Sequence, residues 1–105
     1  MYGLIGNVVA VSGKRNELAE VLVTGVADMP GCLSYIVALD PGDPNVIWIT
    51  EVWESEQAHM ASLSLASVKE SIAKGRPLIS VMGESTVTTP IGGHGLQEPN
   101  GETSP

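Results

Sequence analysis

Phenylalanine is absent from this chain, and its aromatic rings are two tyrosines and two tryptophans. A core without Phe is filled by aliphatic side chains, so each ring that is present needs its own account. Cysteine occurs once, at Cys32, which excludes an intrachain disulfide and fits a reducing compartment. Basic residues are few: five Lys and Arg stand against twelve Asp and Glu, so 5 − 12 = −7. A surface that acidic repels phosphate backbones and anionic lipid, which makes nucleic acid and membranes poor partners. No apolar run approaches the ~20 residues needed to span a bilayer. The opening stretch MYGLIGNVVAVSG is short for a signal peptide and has no basic n-region, so it reads as a strand, and the expected address is the cytoplasm. No His, Cys or acidic cluster has metal spacing, and no phosphate loop, nucleophile elbow or dinucleotide fingerprint occurs. Neither a metal nor a nucleotide cofactor is expected.

What is present suits one globular domain: 105 residues, 43% hydrophobic and 16% charged. Residues 4–11, LIGNVVAV, are β-branched and flanked by glycine, a strand whose alternation puts Ile5, Asn7, Val9 and Val11 on one face. The period then changes. Leu18, Val21, Leu22, Gly25 and Val26 form one helical stripe, stopped by Pro30 and Gly31. Residues 32–40 and 46–54 read as strands, and the PGDPN between them is turn chemistry suited to a hairpin. Ser55 is an N-cap for a helical region over 56–74, with a break expected at 62–64. Residues 78–89 supply a last strand with a bulge at Gly83. The order β-α-β-β-α-β predicts a ferredoxin-like α+β sandwich with an antiparallel sheet over 1–89. Residues 90–105, rich in Gly and Pro, are expected to form a flexible tail. The strands are apolar on both parities, yet the helices can cover only one face, which predicts a homodimer with facing sheets.

The stretch EVWESEQAH, residues 51–59, sits at a strand-to-helix junction, preceded by a PGC turn at 30–32. With the β-α-β-β-α-β order, it resembles the antibiotic-biosynthesis monooxygenase family, over residues 2–89. That family forms dimeric α/β barrels and includes cofactor-free oxygenases of phenols, quinols and aromatic polyketides. The resemblance implies that Trp53 is the motif Trp at a substrate pocket and that His59 stands where related members carry a proton-donating Tyr. The Asn that can lie four residues before that Trp is Ile49 here. Asn7 is similar to the Asn of the haem-degrading branch, but Ser62 and Ile72 fall where that branch needs a Trp and a haem-ligating His.

Each candidate has a plain structural alternative. Trp53 can wall an aromatic substrate or anchor a helix to the sheet. His59 can move a proton or simply face solvent. Asn7 can hold an oxyanion or bond to backbone. Tyr35 can line a pocket or a dimer seam, and Trp48 suits the seam. Met60 and Met82 can form a soft wall against a flat ligand or fill core. Glu51 and Glu54 point to opposite faces of a strand and make no carboxylate pair. The expected function is cofactor-independent oxygenation of a small aromatic phenol, quinol or polyketide-like substrate by O2, with His59 and Asn7 catalytic and Trp53, Tyr35, Met60 and Met82 binding substrate. A non-redox binding or isomerase module on the same dimeric fold is the alternative, and haem degradation stands third.

Overall fold

The computed structural model of the chain describes residues 1–26 and 28–96. Strand β1 (Tyr2–Ala10), helix α1 (Arg15–Thr24), β2 (Cys32–Leu39), β3 (Val46–Trp53), helices α2 (Glu56–Ser62) and α3 (Ala66–Gly75) and β4 (Ile79–Thr88) follow the predicted order, with a 3-10 turn at Arg76–Leu78. The strands form one antiparallel sheet in the order β2-β3-β1-β4, the α+β ferredoxin-like arrangement. No described helix is long and apolar enough to cross a membrane.

The second helical region breaks where helix propensity is lowest. Ser62 Oγ turns back to donate to the His59 carbonyl at 2.6 Å, and the amides of Leu63, Ser64 and Leu65 each bond three residues back. Helix α1 ends earlier than Pro30, because Gly25 meets α3: a Cβ there would collide with the Ser71 side chain. The chain then returns to the sheet through Gly31, whose φ of +80° favours glycine. A Cβ on Gly31 would also approach that of Ala58 to 2.6 Å, so this glycine lets α2 sit close to the start of β2.

Cross-strand register fixes two faces. Val8 pairs with Ile47, and both are buried with Ala10 and Leu18 in the core between sheet and helices. Deleting a side chain as enclosed as Leu18 or Ile47 costs about 2–5 kcal/mol. The other parity carries Ile5, Asn7 and Val9 of β1 with Thr50, Trp48 and Val46 of β3, and no described helix lies over it. Ile5, Ile36, Trp48 and Val81 are all exposed there, between 40% and 56%. Both parities are therefore apolar, as the alternation predicts.

Two local devices shape that open face. At the β2–β3 turn, Asp40 Oδ1 accepts from the amides of Gly42 and Asp43, and its Oδ2 accepts from Trp48 Nε1 at 2.9 Å. Arg15 ties α1 to the same turn by donating to the carbonyls of Asp40 and Asp43. At β4, register with β1 slips between Gly6 and Val8, which leaves Gly83 and Glu84 opposite Asn7, a bulge at the expected place. The Asn7 carboxamide occupies the space a side chain at Gly83 would need. Of the expected tail, Pro90 closes on Gly3 and Ile91 is exposed, while 97–105 lie outside the described residues.

Candidate active site

Between the helix-facing side of the sheet and the three helices lies a cavity of about 620 Å³. That is a ligand-sized space. Leu22 of α1, Val68 and Ile72 of α3 and Ile49 of β3 give it apolar walls, and Met82 and Arg76, both exposed, stand at its rim. Its polar groups are few: Tyr35, Glu51, His59, the Trp53 indole, Ser62, Ser71 and Ser80, besides Arg76.

The strand period places Glu51 and Trp53 together. Two residues apart on β3, they share the helix-facing side, and Tyr35 is the cross-strand neighbour of Glu51. Trp53 is 1% exposed, and its Nε1 donates to Glu51 Oε1 at 3.0 Å. Helix α2 then delivers His59 to the same wall. Its start is set by Ser55, whose Oγ accepts from the Ala58 amide at 3.1 Å, and by the Glu54 amide bonding to the Gly31 carbonyl at 2.8 Å. The His59 ring meets Trp53 edge-on, with centroids 5.3 Å apart, and lies 5.7 Å from the ring of Tyr2.

His59 Nε2 is 3.9 Å from Glu51 Oε1, and the two side chains are 19% and 17% exposed. That separation is too long for a hydrogen bond and close enough for charge. Once the imidazole is protonated, the attraction is about 1 kcal/mol in a water-like medium and about 4 kcal/mol at an effective dielectric constant near 20. The other nitrogen, Nδ1, is buried and has no partner among the described residues. Burial, with the Glu51 charge second, pushes the Tyr35 hydroxyl far above its ordinary range, so it remains a neutral donor. Burial also raises the Cys32 thiol, against the pull of its bond to the Ser34 carbonyl and with the Glu51 charge adding to the rise, which favours the thiol over the thiolate. Among the described residues no three His, Cys, Asp or Glu side chains gather as metal ligands.

Of the residues singled out in the sequence, Tyr35, Trp53, His59 and Met82 line the cavity, and Asn7 and Met60 do not. Asn7 belongs to the opposite parity of β1, alongside Trp48, with the sheet between it and the cavity. Met60 follows His59 by one residue, about 100° round α2, and is 57% exposed. Glu51 is the residue that sequence reasoning passed over. Its spacing from Glu54 makes no pair, but its two-residue spacing from Trp53 places both on one face.

The chain belongs to the antibiotic biosynthesis monooxygenase family, whose model matches residues 1–74 and so takes in Glu51, Trp53 and His59. A candidate antibiotic biosynthesis monooxygenase from Chloroflexus aurantiacus is similar in structure, with 58% identity over 90% of this chain and 97% of that one and a TM-score of 0.88. A second, from Deinococcus radiodurans, is 25% identical over 89% and 95%, with a TM-score of 0.73. A third, from Caulobacter crescentus, shares the fold at 18% identity over 87% and 90%, with a TM-score of 0.78. No curated protein matches the sequence.

Proposed function

We propose that the protein binds a small planar hydroxyarene of the quinol or hydroxyanthrone kind in this cavity and oxygenates it with O2. The observation that carries the reading is the gathering of Trp53, His59 and Tyr35 on the polar wall of a ligand-sized, otherwise apolar cavity. Family membership supports it from a second direction.

Ground-state O2 is a triplet and reacts slowly with closed-shell molecules, so an electron-rich anion is the natural partner for it. In this reading His59 takes the hydroxyl proton, leaving the electron pair on the substrate oxygen. The anion gives one electron to O2, and the resulting carbon radical and superoxide join in a C–O bond. The peroxide takes a proton back. Loss of water, with the ring-carbon hydrogen leaving as a proton, then breaks the O–O bond and leaves a carbonyl. One oxygen atom ends in the product and the other in water. The protein's share is orientation against Trp53, exclusion of water and movement of the proton. Tyr35 donates a hydrogen bond to substrate oxygen, and Asn7 and Met60 take no part.

The open sheet face belongs to the same proposal. A second copy covers it, sheet against sheet, because Ile5, Ile36, Trp48 and Val81 form an apolar surface that no described element of the chain shields. The lone thiol of Cys32 suits a cytoplasmic setting for this homodimer.

The test is oxygen uptake with a hydroxyanthrone, using ¹⁸O2 and mass analysis of the product. One labelled oxygen per product and one O2 consumed per substrate are expected. His59→Ala should lower kcat by about 10²–10⁴-fold. Tight binding with no oxygen consumed would make the protein a binding module instead.

A further inference from the structure

Glu51, the one acidic side chain among the described residues that line the cavity, has a task that the sequence does not suggest. We infer that Glu51 and His59 act as one unit, in which the Glu51 carboxylate steadies the imidazolium formed when His59 Nδ1 takes a proton from a neutral hydroxyarene. This deepens the function proposed above and rests on it for the substrate. The unit itself rests on geometry alone.

Three observations support it. First, Glu51 is held in place: Trp53 Nε1 donates to Oε1 at 3.0 Å, so the indole that walls the cavity also fixes the carboxylate. Second, the same Oε1 is 3.9 Å from His59 Nε2, and both side chains are about four-fifths buried. A neutral imidazole with its proton on Nε2 faces the carboxylate with N–H and keeps its lone pair on Nδ1. Third, His59 lines the cavity, and its Nδ1 is buried without a partner among the described residues, a hydrogen-bonding capacity that a substrate hydroxyl meets once the wall shifts to admit it. The 3.9 Å separation is the loose form of such a pair, which shortens when the charge forms.

The chemistry is a single balanced transfer. The substrate O–H bond breaks, an N–H bond forms at Nδ1, and the electron pair remains on oxygen. A carboxylate, a neutral ring and a neutral hydroxyl become a carboxylate, an imidazolium and a phenolate, with the cation between the two anions. The other titratable groups near the pair are Tyr2 of β1 against the imidazole ring, Cys32 and Tyr35 of β2, both within reach of the Glu51 charge, and Arg76 of the 3-10 turn. Helices α1 and α3 and strand β4 contribute no charged side chain to the lining. Glu51 is therefore the only anion positioned to balance the imidazolium among the described residues. It also defines the substrate class, since the acid disfavours a ligand that arrives as an anion and favours one that enters neutral and ionises inside.

The pair is tested without ligand by a double-mutant cycle of Glu51→Gln and His59→Ala, read as Tm at two pH values. Near pH 5.5, where imidazole is ordinarily charged, non-additivity of at least about 4 °C is expected, and near pH 8.5 none. Equal coupling at both pH values, or none at either, overturns the pair. The substrate step is tested with 2-hydroxyanthraquinone, which changes colour on ionisation and is already oxidised. Bound to the wild type, it should ionise about one pH unit below its midpoint in buffer, a tenfold bias. Bound to Glu51→Gln, it should stay neutral to its ordinary midpoint, with affinity within about threefold. A dye ionised equally in both overturns the role of Glu51. A wild type that does not bind the dye overturns the hydroxyarene reading, while the cycle still decides the pair.

Discussion

The two faces of the sheet carry one tryptophan each, and each indole N–H is bonded to a carboxylate. On the open face Trp48, 40% exposed, donates to Asp40. On the helix face Trp53, 1% exposed, donates to Glu51. The carboxylates differ in what else they hold. Asp40 also accepts from two backbone amides, so its hydrogen bonds, that from Trp48 foremost, hold its carboxyl below the ordinary range. Glu51 accepts from Trp53 alone among the described residues and stands beside an imidazole on the cavity wall. A carboxylate whose oxygens are occupied by turn amides is a structural part. One with spare acceptor capacity beside a buried, unpartnered imidazole nitrogen is available for chemistry. The contrast separates the two acids better than their exposure or their position on a strand end.

The largest effect comes from exchanging the rings. Trp53→Ala empties a fully enclosed site and should cost about 3–5 kcal/mol in urea unfolding. Trp48→Ala removes a ring that is half-exposed on the single chain and should cost less than half of that at protein concentrations low enough to keep the chain monomeric, where no second copy covers it. Equal losses would show that the open face is as tightly enclosed as the cavity wall, and the contrast between the faces would fail.

A smaller but more selective effect follows from placing charge on the open face. Ile36→Lys sets a cation amid Ile5, Trp48 and Val81, which a facing sheet would have to bury unpaired. Light scattering should then give 10.9 kDa, the mass of one chain, where the wild type is expected to give twice that. Hydroxyarene affinity should change by less than about threefold, because the cavity lies across the sheet. A variant that stays dimeric puts the partner elsewhere, and one that loses ligand ties the seam to the site.

How far the sequence discloses this arrangement depends on how local each signal is. The two parities of β1 and β3 are legible because side chains alternate without exception in a regular strand, and the same rule puts Ile5, Asn7 and Val9 together. The break at Ser62 is legible because Ser-Leu-Ser competes poorly for helix. The bulge is marked by Gly83. Which parity the helices cover is not local, since it depends on the crossover of α1, and so the strand period alone does not show that Asn7 lies across the sheet from the cavity. His59 reaches Trp53 by helix placement, six residues on, which the Ser55 cap, the Glu54–Gly31 backbone bond and the Gly31–Ala58 approach together secure. Glu51 is legible from the strand rule through Trp53, two residues on, and not through Glu54, three residues on and on the other face.

The smallest effect, and the one that best separates the two acids, is acid titration of Asp40. Its folded carboxyl is held below the ordinary value of 3.8, first by the Trp48 indole and then by the amides of Gly42 and Asp43, with Arg15 adding slightly. A lowered carboxylate stabilises the fold fully above its unfolded value, and that stability disappears as pH falls through the folded value. Asp40→Asn keeps the shape and an acceptor oxygen but has no charge to lose. The difference in urea midpoint between wild type and Asp40→Asn should be small, constant from neutral pH down to about 4, and should shrink below that. A difference that persists unchanged at pH 3, or grows there, would show that Asp40 is not held by charge-assisted bonds. Repeating the pair of melts in a His59→Ala background should leave the Asp40 difference intact, because the sheet stands between them.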